Sequence, residues 1–159
     1  MILISACLMG VNCKYSGENN LSQALMNIID KYEVIPVCPE QLGGLTTPRN
    51  PAEIFNSKSS EILMGVGKVI DNKENDRTLE FVKGAQETLY IAKKFNIKYA
   101  ILKSNSPSCG NKKVYDGTFS GKIVAGSGVT AELLLENGIK VYNENELAEF
   151  EEDYNKTRE

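Results

Sequence analysis

Four short apolar runs recur along the chain, and each is followed by residues that favour loops. The runs occupy residues 2–6, 34–37, 99–102 and 139–142. Their length and their lack of polar alternation are typical of buried strands in a parallel sheet. Amphipathic segments between them predict helices, so strands and helices alternate. This order predicts a single Rossmann-like three-layer α/β domain with a mostly parallel sheet and right-handed crossovers.

The predicted helices come from apolar residues that recur at helical spacing. They span about 21–32, 77–95 and 126–137. The apolar stripe predicted for the second helix consists of Leu79, Val82, Leu89 and Ala92.

Three segments interrupt this alternation and predict loops or small hairpins. Residues 38–53 contain three prolines and two glycines, which predicts a long shaped loop with no regular element. Residues 61–67 and 68–72 predict a short hairpin or a protruding excursion. The Asp116-Gly117 dipeptide predicts the turn of a second hairpin.

The length of 159 residues is that of one domain with a sizeable core. We expect residues 1–150 to form the single α/β domain, and the charged residues 151–159 to form a frayed tail. Asn143 and Glu146 make a capping box for a short helix just before that tail.

Composition excludes several classes of protein. The start of the chain has no positively charged region and runs straight into a predicted strand, so no secretory signal is expected. No apolar run approaches the length that spans a membrane. A net charge of −3 with no basic stripe argues against a dedicated nucleic-acid surface.

The chain has four cysteines and no histidine. The cysteines are not densely spaced, which favours reduced thiols in a cytoplasmic setting over a disulfide framework. The absence of histidine removes Ser-His and Cys-His catalytic pairs and leaves thiolates and carboxylates as metal ligands. A site made only of thiolates favours zinc or an iron-sulfur cluster.

Three of the cysteines each follow a predicted strand. Cys7 follows the first run, Cys38 the second and Cys109 the loop after the third. Since the carboxyl ends of parallel strands meet at one edge of a sheet, we expect these thiols to share a metal or cluster site there. Three thiolates leave a fourth coordination position open unless Cys13 or an oxygen ligand fills it, and an open position is typical of a catalytic site.

Other polar residues are assigned by their distance from these strand ends. Cys13 follows no strand and lies deeper in a loop, so it is interpreted as a bystander. Glu40, two residues after Cys38, and Ser104, at the end of the third run, are the candidates for proton transfer and hydrogen bonding.

Several blocks in order resemble a bacterial family that was long labelled only as of unknown function and that includes the thiouracil desulfurases, or desulfidases. The match covers about residues 2 to 150. The blocks are ISACLMG at 4–10, PVCPEQLGGL at 36–45 with Pro48-Arg49, KSNSPSCG at 103–110 and DGTFSG at 116–121.

The resemblance implies a cubane 4Fe-4S cluster held by three cysteines, which correspond to Cys7, Cys38 and Cys109. It also implies a small thiolated substrate such as 2-thiouracil, whose sulfur is replaced by water without net redox change, giving uracil and sulfide. Glu40 and Ser104 match the acidic residue and the serine that assist this exchange. Family members often lack a cysteine at position 13, which leaves open whether Cys13 is a fourth ligand.

Two alternatives belong to other functional classes. One is a non-catalytic module that stores or delivers a metal or cluster, or that senses redox state through it. The other is a zinc-stabilised binding domain, since zinc also accepts thiolates. The sequence does not give the physiological substrate or the oligomeric state.

Overall fold

A parallel sheet of four strands forms the centre of the computed structural model, which describes residues 1–158. The strands within these residues are β1 (Ile2–Ser5), β2 (Val34–Val37), β3 (Ala52–Phe55), β4 (Lys68–Asp71), β5 (Tyr99–Ile101), β6 (Lys113–Tyr115), β7 (Ile123–Ala125) and β8 (Lys140–Tyr142). The α-helices are α1 (Gln23–Met26), α2 (Pro39–Leu42), α3 (Ser59–Leu63), α4 (Thr78–Lys94), α5 (Val129–Glu136) and α6 (Leu147–Lys156).

The central sheet has the order β2-β1-β5-β8, and every neighbouring pair is parallel. In β1, Leu3 lies opposite Ile35 on one side and Ala100 on the other. The strand order reverses between β1 and β5, because the chain builds outward first to one side of β1 and then to the other. Crevices at such a reversal are the usual binding sites of open α/β sheets.

Both faces of the sheet are covered, which confirms the predicted three-layer α/β fold. Leu3 points to one face and packs in a core with Ala92 of α4 and Leu134 of α5. Ile2 and Ile4 point to the other face, where α1 and α6 provide the covering layer. Over residues 1–158, every helix is too short or too polar to cross a lipid bilayer.

The helix predicted at 21–32 is wrong in its extent. The Ser22 side chain accepts the Leu25 amide and starts α1 at Gln23, and after Met26 the chain tightens into a 3-10 turn at Ile29–Lys31. The apolar residues Leu25 and Ile29 are buried all the same. Hydrophobic spacing therefore identified the covering segment although its backbone is not one continuous helix.

The apolar stripe predicted for α4 is wrong in part. Leu79 is 84% exposed, whereas the buried positions include Phe81, Gly84, Ala85 and Thr88. Small residues occupy this face because α2 and α5 approach α4 closely. A prediction based only on large apolar residues therefore misses a helix face made of small residues, against which another helix packs closely.

The hairpin predicted from 61–67 and 68–72 is also wrong. Residues Ser59–Leu63 form α3, and β4 pairs in antiparallel fashion with β3, so that Ala52 lies opposite Asp71. The stretch 38–53 is correspondingly more regular than predicted, since it contains α2 and the start of β3. Proline at the first position of α2 suits a helix start, because its missing amide hydrogen is not needed there. The second predicted hairpin is present as β6 and β7.

The predicted frayed tail differs from the structure over residues 151–158, and Glu159 lies outside the described residues. Helix α6 continues through Glu151 to Lys156, and the Tyr154 ring is buried on the sheet. Tyr154 meets the rings of Tyr32 and Tyr99 edge to face, at centroid distances of 5.0 and 5.3 Å. This aromatic contact anchors a segment whose composition suggested only a charged tail.

Two glycines let α2 lie directly on α4. A Cβ added to Gly84 would stand 1.9 Å from the carbonyl oxygen of Pro39, and one added to Gly43 would stand 1.9 Å from that of Glu80. Neither distance is compatible with a side chain. The close contact fixes the position of α2, and with it Cys38 at the start of that helix.

We expect Gly84→Ala to lower the free energy of unfolding by about 1–3 kcal/mol, as overpacking does. Helix propensity alone predicts the opposite sign, because alanine is favoured over glycine in a helix by about 1 kcal/mol. Urea unfolding measures the difference. Glu87→Ala, on the exposed face of the same helix, should change stability by less than about 0.5 kcal/mol. A stabilised Gly84→Ala variant would contradict the predicted close contact.

Candidate active site

Loops that follow β1, β2 and β5 enclose a cavity of about 430 Å³ at the carboxyl edge of the sheet. Cys7, Cys38 and Cys109 all line it. The cavity therefore lies at the point where the strand order reverses. Three residues that are 31 and 71 positions apart in sequence meet there because their strands are parallel neighbours.

Each of the three thiols is held by a different local structure. Cys7 lies in a 3-10 turn at Ala6–Met9 that ends at Gly10, whose φ of +92° suits glycine. Cys38 occupies the position just before α2. The amide of Cys109 donates to the Ser106 hydroxyl at 3.1 Å, within the loop after β5.

The fourth cysteine is placed differently from the bystander position expected of it. Cys13 is 1% exposed and lines the same cavity, and its carbonyl oxygen accepts from the Cys38 thiol at 3.7 Å. Its loop folds back over the strand ends because Arg49 Nη2 donates to the Cys13 carbonyl oxygen at 2.9 Å. All four thiols of the chain therefore gather in one cavity.

The four thiols differ in pKa. Hydrogen bonding with the Cys13 thiol is the largest cause that lowers the pKa of Cys7 to about 7 and that of Cys38 to about 6, against a desolvation penalty from burial. The same bonds raise the pKa of Cys13 itself. Burial raises the pKa of Cys109 to about 12. Cys7 and Cys38 are thus biased toward the thiolate, the form in which cysteine binds metals.

Glu40 lies in the cavity wall beside these thiols. One carboxylate oxygen accepts from Arg49 Nε at 3.3 Å and the other from the Ser108 hydroxyl at 3.2 Å. The Arg49 side chain is 6% exposed, so this ion pair is shielded from water. The arrangement orients the carboxylate while one face of Glu40 remains part of the cavity lining.

Ser104 lines the cavity as well, and a residue that sequence reasoning missed holds it in place. Glu144 accepts from the Ser104 hydroxyl at 2.6 Å, from the Ser104 amide at 2.9 Å and from Lys103 Nζ at 2.7 Å. Burial raises the pKa of Glu144, but the hydrogen bonds from Lys103 and Ser104 outweigh it and lower that pKa overall. Glu144 is therefore an ionised acceptor behind Ser104.

A signal for Glu144 was present in the sequence. It lies two residues beyond β8, the fourth strand of the same parallel sheet. The rule that brought the three cysteines together therefore applies to it as well. The signal is a carboxylate just beyond the end of the fourth apolar run.

The remaining walls are partly aromatic. Tyr15, Tyr115 and Phe119 line the cavity, the last two from the β6–β7 hairpin and the turn that joins its strands. Glu53 of β3 also lines it, and one of its carboxylate oxygens accepts from the amides of Gly117 and Phe119. The pocket thus combines thiols, two oriented polar groups and apolar ring surfaces.

All four thiols line the cavity. Within residues 1–158, no three side chains of the metal-binding types are close enough together to hold one ion. Cysteine thiolates are the ligands that hold iron-sulfur clusters.

Comparison with known proteins identifies relatives over nearly the full length. An uncharacterised protein of Bacillus subtilis, YbbK, is 46% identical over 147 residues, which cover 92% of this chain and 97% of the relative. A solved structure of the [4Fe-4S]-dependent thiouracil desulfidase TudS is 37% identical, with a TM-score of 0.81 and 93% of both chains covered.

The family model for 2-thiouracil desulfurase matches residues 2–146. This range contains all four cysteines, Glu40, Ser104 and Glu144. It also contains every sequence block on which the resemblance was based. With the strand order, the cavity and the relatives in agreement, the resemblance is confirmed, and the chain belongs to the 2-thiouracil desulfurase family.

Proposed function

We propose that this protein is a 4Fe-4S-dependent desulfidase that removes sulfur from a small thiolated nucleobase such as 2-thiouracil, and that Cys7, Cys38 and Cys109 hold the cluster. The observation that supports this most directly is the meeting of these three thiols in one cavity that also contains an oriented carboxylate and an oriented hydroxyl. Family membership and the likeness to TudS agree with it.

The donor set fits an iron-sulfur cluster. Iron-sulfur clusters are held by cysteine thiolates, and two of these thiols have lowered pKa values. Cys7, Cys38 and Cys109 would hold the cluster, which would supply a Lewis acid for the sulfur of the substrate. The protein contributes the cavity, the thiols and the groups that handle protons.

The proposed reaction exchanges sulfur for oxygen at one carbon. A water molecule adds its oxygen to the thiocarbonyl carbon, the C–S bond breaks, and the two protons of water leave with sulfur as hydrogen sulfide. Uracil is the other product from 2-thiouracil. No electrons are gained or lost overall, so neither an oxidant nor a reductant is needed.

Glu40 and Ser104 take separate parts in this exchange. Glu40 accepts a proton from the attacking water, and Arg49 and Ser108 hold its carboxylate in place. Ser104 forms a hydrogen bond with the substrate ring beside the reacting carbon. Glu144 is a positioning residue, since it touches Ser104 and does not line the cavity.

We expect Cys7→Ala, Cys38→Ala and Cys109→Ala each to abolish cluster loading, because each removes one of three ligands. Cys13→Ala should load largely as the wild type does. Cluster loading is measured on anaerobically prepared protein as the content of iron and acid-labile sulfide, together with the visible absorption spectrum. Normal iron content in any of the first three variants would rule out the ligand assignment.

The same preparation separates the functional classes. A wild-type protein with about one 4Fe-4S cluster per chain that converts 2-thiouracil to uracil and sulfide supports the enzyme. A loaded cluster without turnover of thiolated bases favours a carrier or a redox sensor. Zinc in place of iron after anaerobic reconstitution favours the zinc-stabilised binding domain.

We expect Glu40→Gln to lower kcat by about 10²–10⁴, the usual contribution of a general acid or base, with iron content unchanged. Ser104→Ala should also lower kcat. Glu144→Gln should lower it by about 10- to 100-fold, because hydrogen bonds to a charged group contribute about 1.5–3 kcal/mol. Uracil release is measured by chromatography.

Glu152→Gln is the matched control for both glutamate variants, since that side chain is exposed on α6 and pairs only with the neighbouring Lys156. It should turn over at the wild-type rate. Wild-type kcat in a fully loaded Glu40→Gln protein would contradict the role of Glu40 as a base.

A further inference from the structure

The turn between β6 and β7 brings one aromatic side chain to the cavity in an unusual conformation. Phe119 lines the cavity, its side chain is 39% exposed and its φ is +56°. A bulky residue in the left-handed region is uncommon, because its Cβ crowds the following carbonyl oxygen. Such strain persists where surrounding contacts enforce it, and it concentrates at ligand-binding sites.

Glu53 provides one of those enforcing contacts. Its Oε1 accepts from the amide of Gly117 at 2.9 Å and from the amide of Phe119 at 3.2 Å. Glu53 is 8% exposed and lies on β3, so the acceptor belongs to a regular strand. Burying a carboxylate costs free energy unless the carboxylate is well hydrogen-bonded. Here its hydrogen bonds fix the turn next to the ring.

Backbone contact and hydrogen bonds within the turn restrict it further. Gly117 has a φ of +92°, and an added Cβ would stand 2.6 Å from the Ile54 carbonyl oxygen, so the turn lies directly against β3. Asp116 accepts from the Thr118 amide at 3.0 Å, and the Thr118 and Ser120 hydroxyls are 2.6 Å apart. Phe119 is consequently held on both sides by ordered neighbours.

We infer that Phe119 is the platform on which the planar ring of the substrate stacks, and that Glu53 positions this platform. The inference rests on the proposed function and deepens it by naming the residues that bind the flat ring of the thiolated substrate. A ring fixed in advance gives stacking energy without an ordering cost at binding. An aromatic side chain can stack on any base, because every base has a flat π-face, and this stacking favours planar rings over other ligands.

Phe119 is favoured over the two tyrosines that share the cavity. Tyr15 is 45% exposed, and the centre of its ring lies 5.6 Å from Lys14 Nζ. Tyr115 belongs to β6 and has the ordinary backbone of a strand. Of the three rings, Phe119 alone has left-handed backbone, and its own amide is bound by Glu53.

The test measures binding and turnover of 2-thiouracil by holoprotein variants. We expect Phe119→Leu to raise the Kd and the KM about tenfold with kcat nearly unchanged, and Phe119→Tyr to restore both constants, since base stacking is worth about tenfold or more per ring. Phe95→Leu, which removes a 52% exposed phenylalanine beyond α4, is the matched control and should behave as the wild type.

Glu53 is tested by Glu53→Ala and Glu53→Gln. The alanine variant should weaken binding as Phe119→Leu does, and the double variant Glu53→Ala with Phe119→Leu should be no weaker than either, because both remove the same contact. Glu53→Gln keeps an acceptor for the two amides and should bind nearly as the wild type. Iron content and thermal unfolding are measured for every variant.

The proposed role of Phe119 is wrong if a folded, cluster-loaded Phe119→Leu variant binds 2-thiouracil with the wild-type Kd. It is also wrong if only kcat falls in that variant. Equilibrium dialysis separates this from failure of the proposed function. If the wild type binds 2-thiouracil but releases no sulfide, the proposed reaction fails while the binding comparison still tests Phe119. If the wild type does not bind 2-thiouracil, the platform for this substrate class fails as well.

Discussion

The position of β1 between β2 and β5 is the constraint on which the active site depends. Both pairings are parallel, so three strands end at the same edge and each releases its loop there. Hydrogen bonds across the reversal continue beyond the strands, since the Lys103 amide donates to the Ser5 hydroxyl at 2.9 Å. Residues distant in sequence meet at this edge because the carboxyl ends of parallel neighbouring strands lie side by side.

A buried cation organises the loops that leave this edge. The Arg49 guanidinium donates to Glu40, to the carbonyl oxygens of Cys13 and Thr46, and to the Thr47 hydroxyl. A charge with 6% exposure is tolerable because these partners satisfy it. The same charge favours the Cys38 thiolate, so one side chain orders the loops and tunes the chemistry.

Much of the fold followed from local pattern. Continuous apolar runs identified all four strands of the central sheet, and the strand-end rule placed three cysteines, Glu40 and Ser104 in one cavity. The predictions were wrong where small residues are buried and a large apolar residue is exposed. The buried side of α4 uses Gly84 and Ala85 and leaves Leu79 in solvent, and α2 approaches Gly84 too closely for a side chain.

The sequence by itself determined the fold class, the edge at which the chemistry lies and the family to which the chain belongs, because periodicity and strand ends are local properties. Only the tertiary structure decided which polar groups meet. Cys13 reaches Cys7 and Cys38 because Arg49, 36 positions away, turns its loop back. Glu144 orients Ser104 across 40 residues, and Glu53 fixes the Phe119 turn across 66. Such contacts depend on how whole elements pack, and no local pattern encodes that geometry.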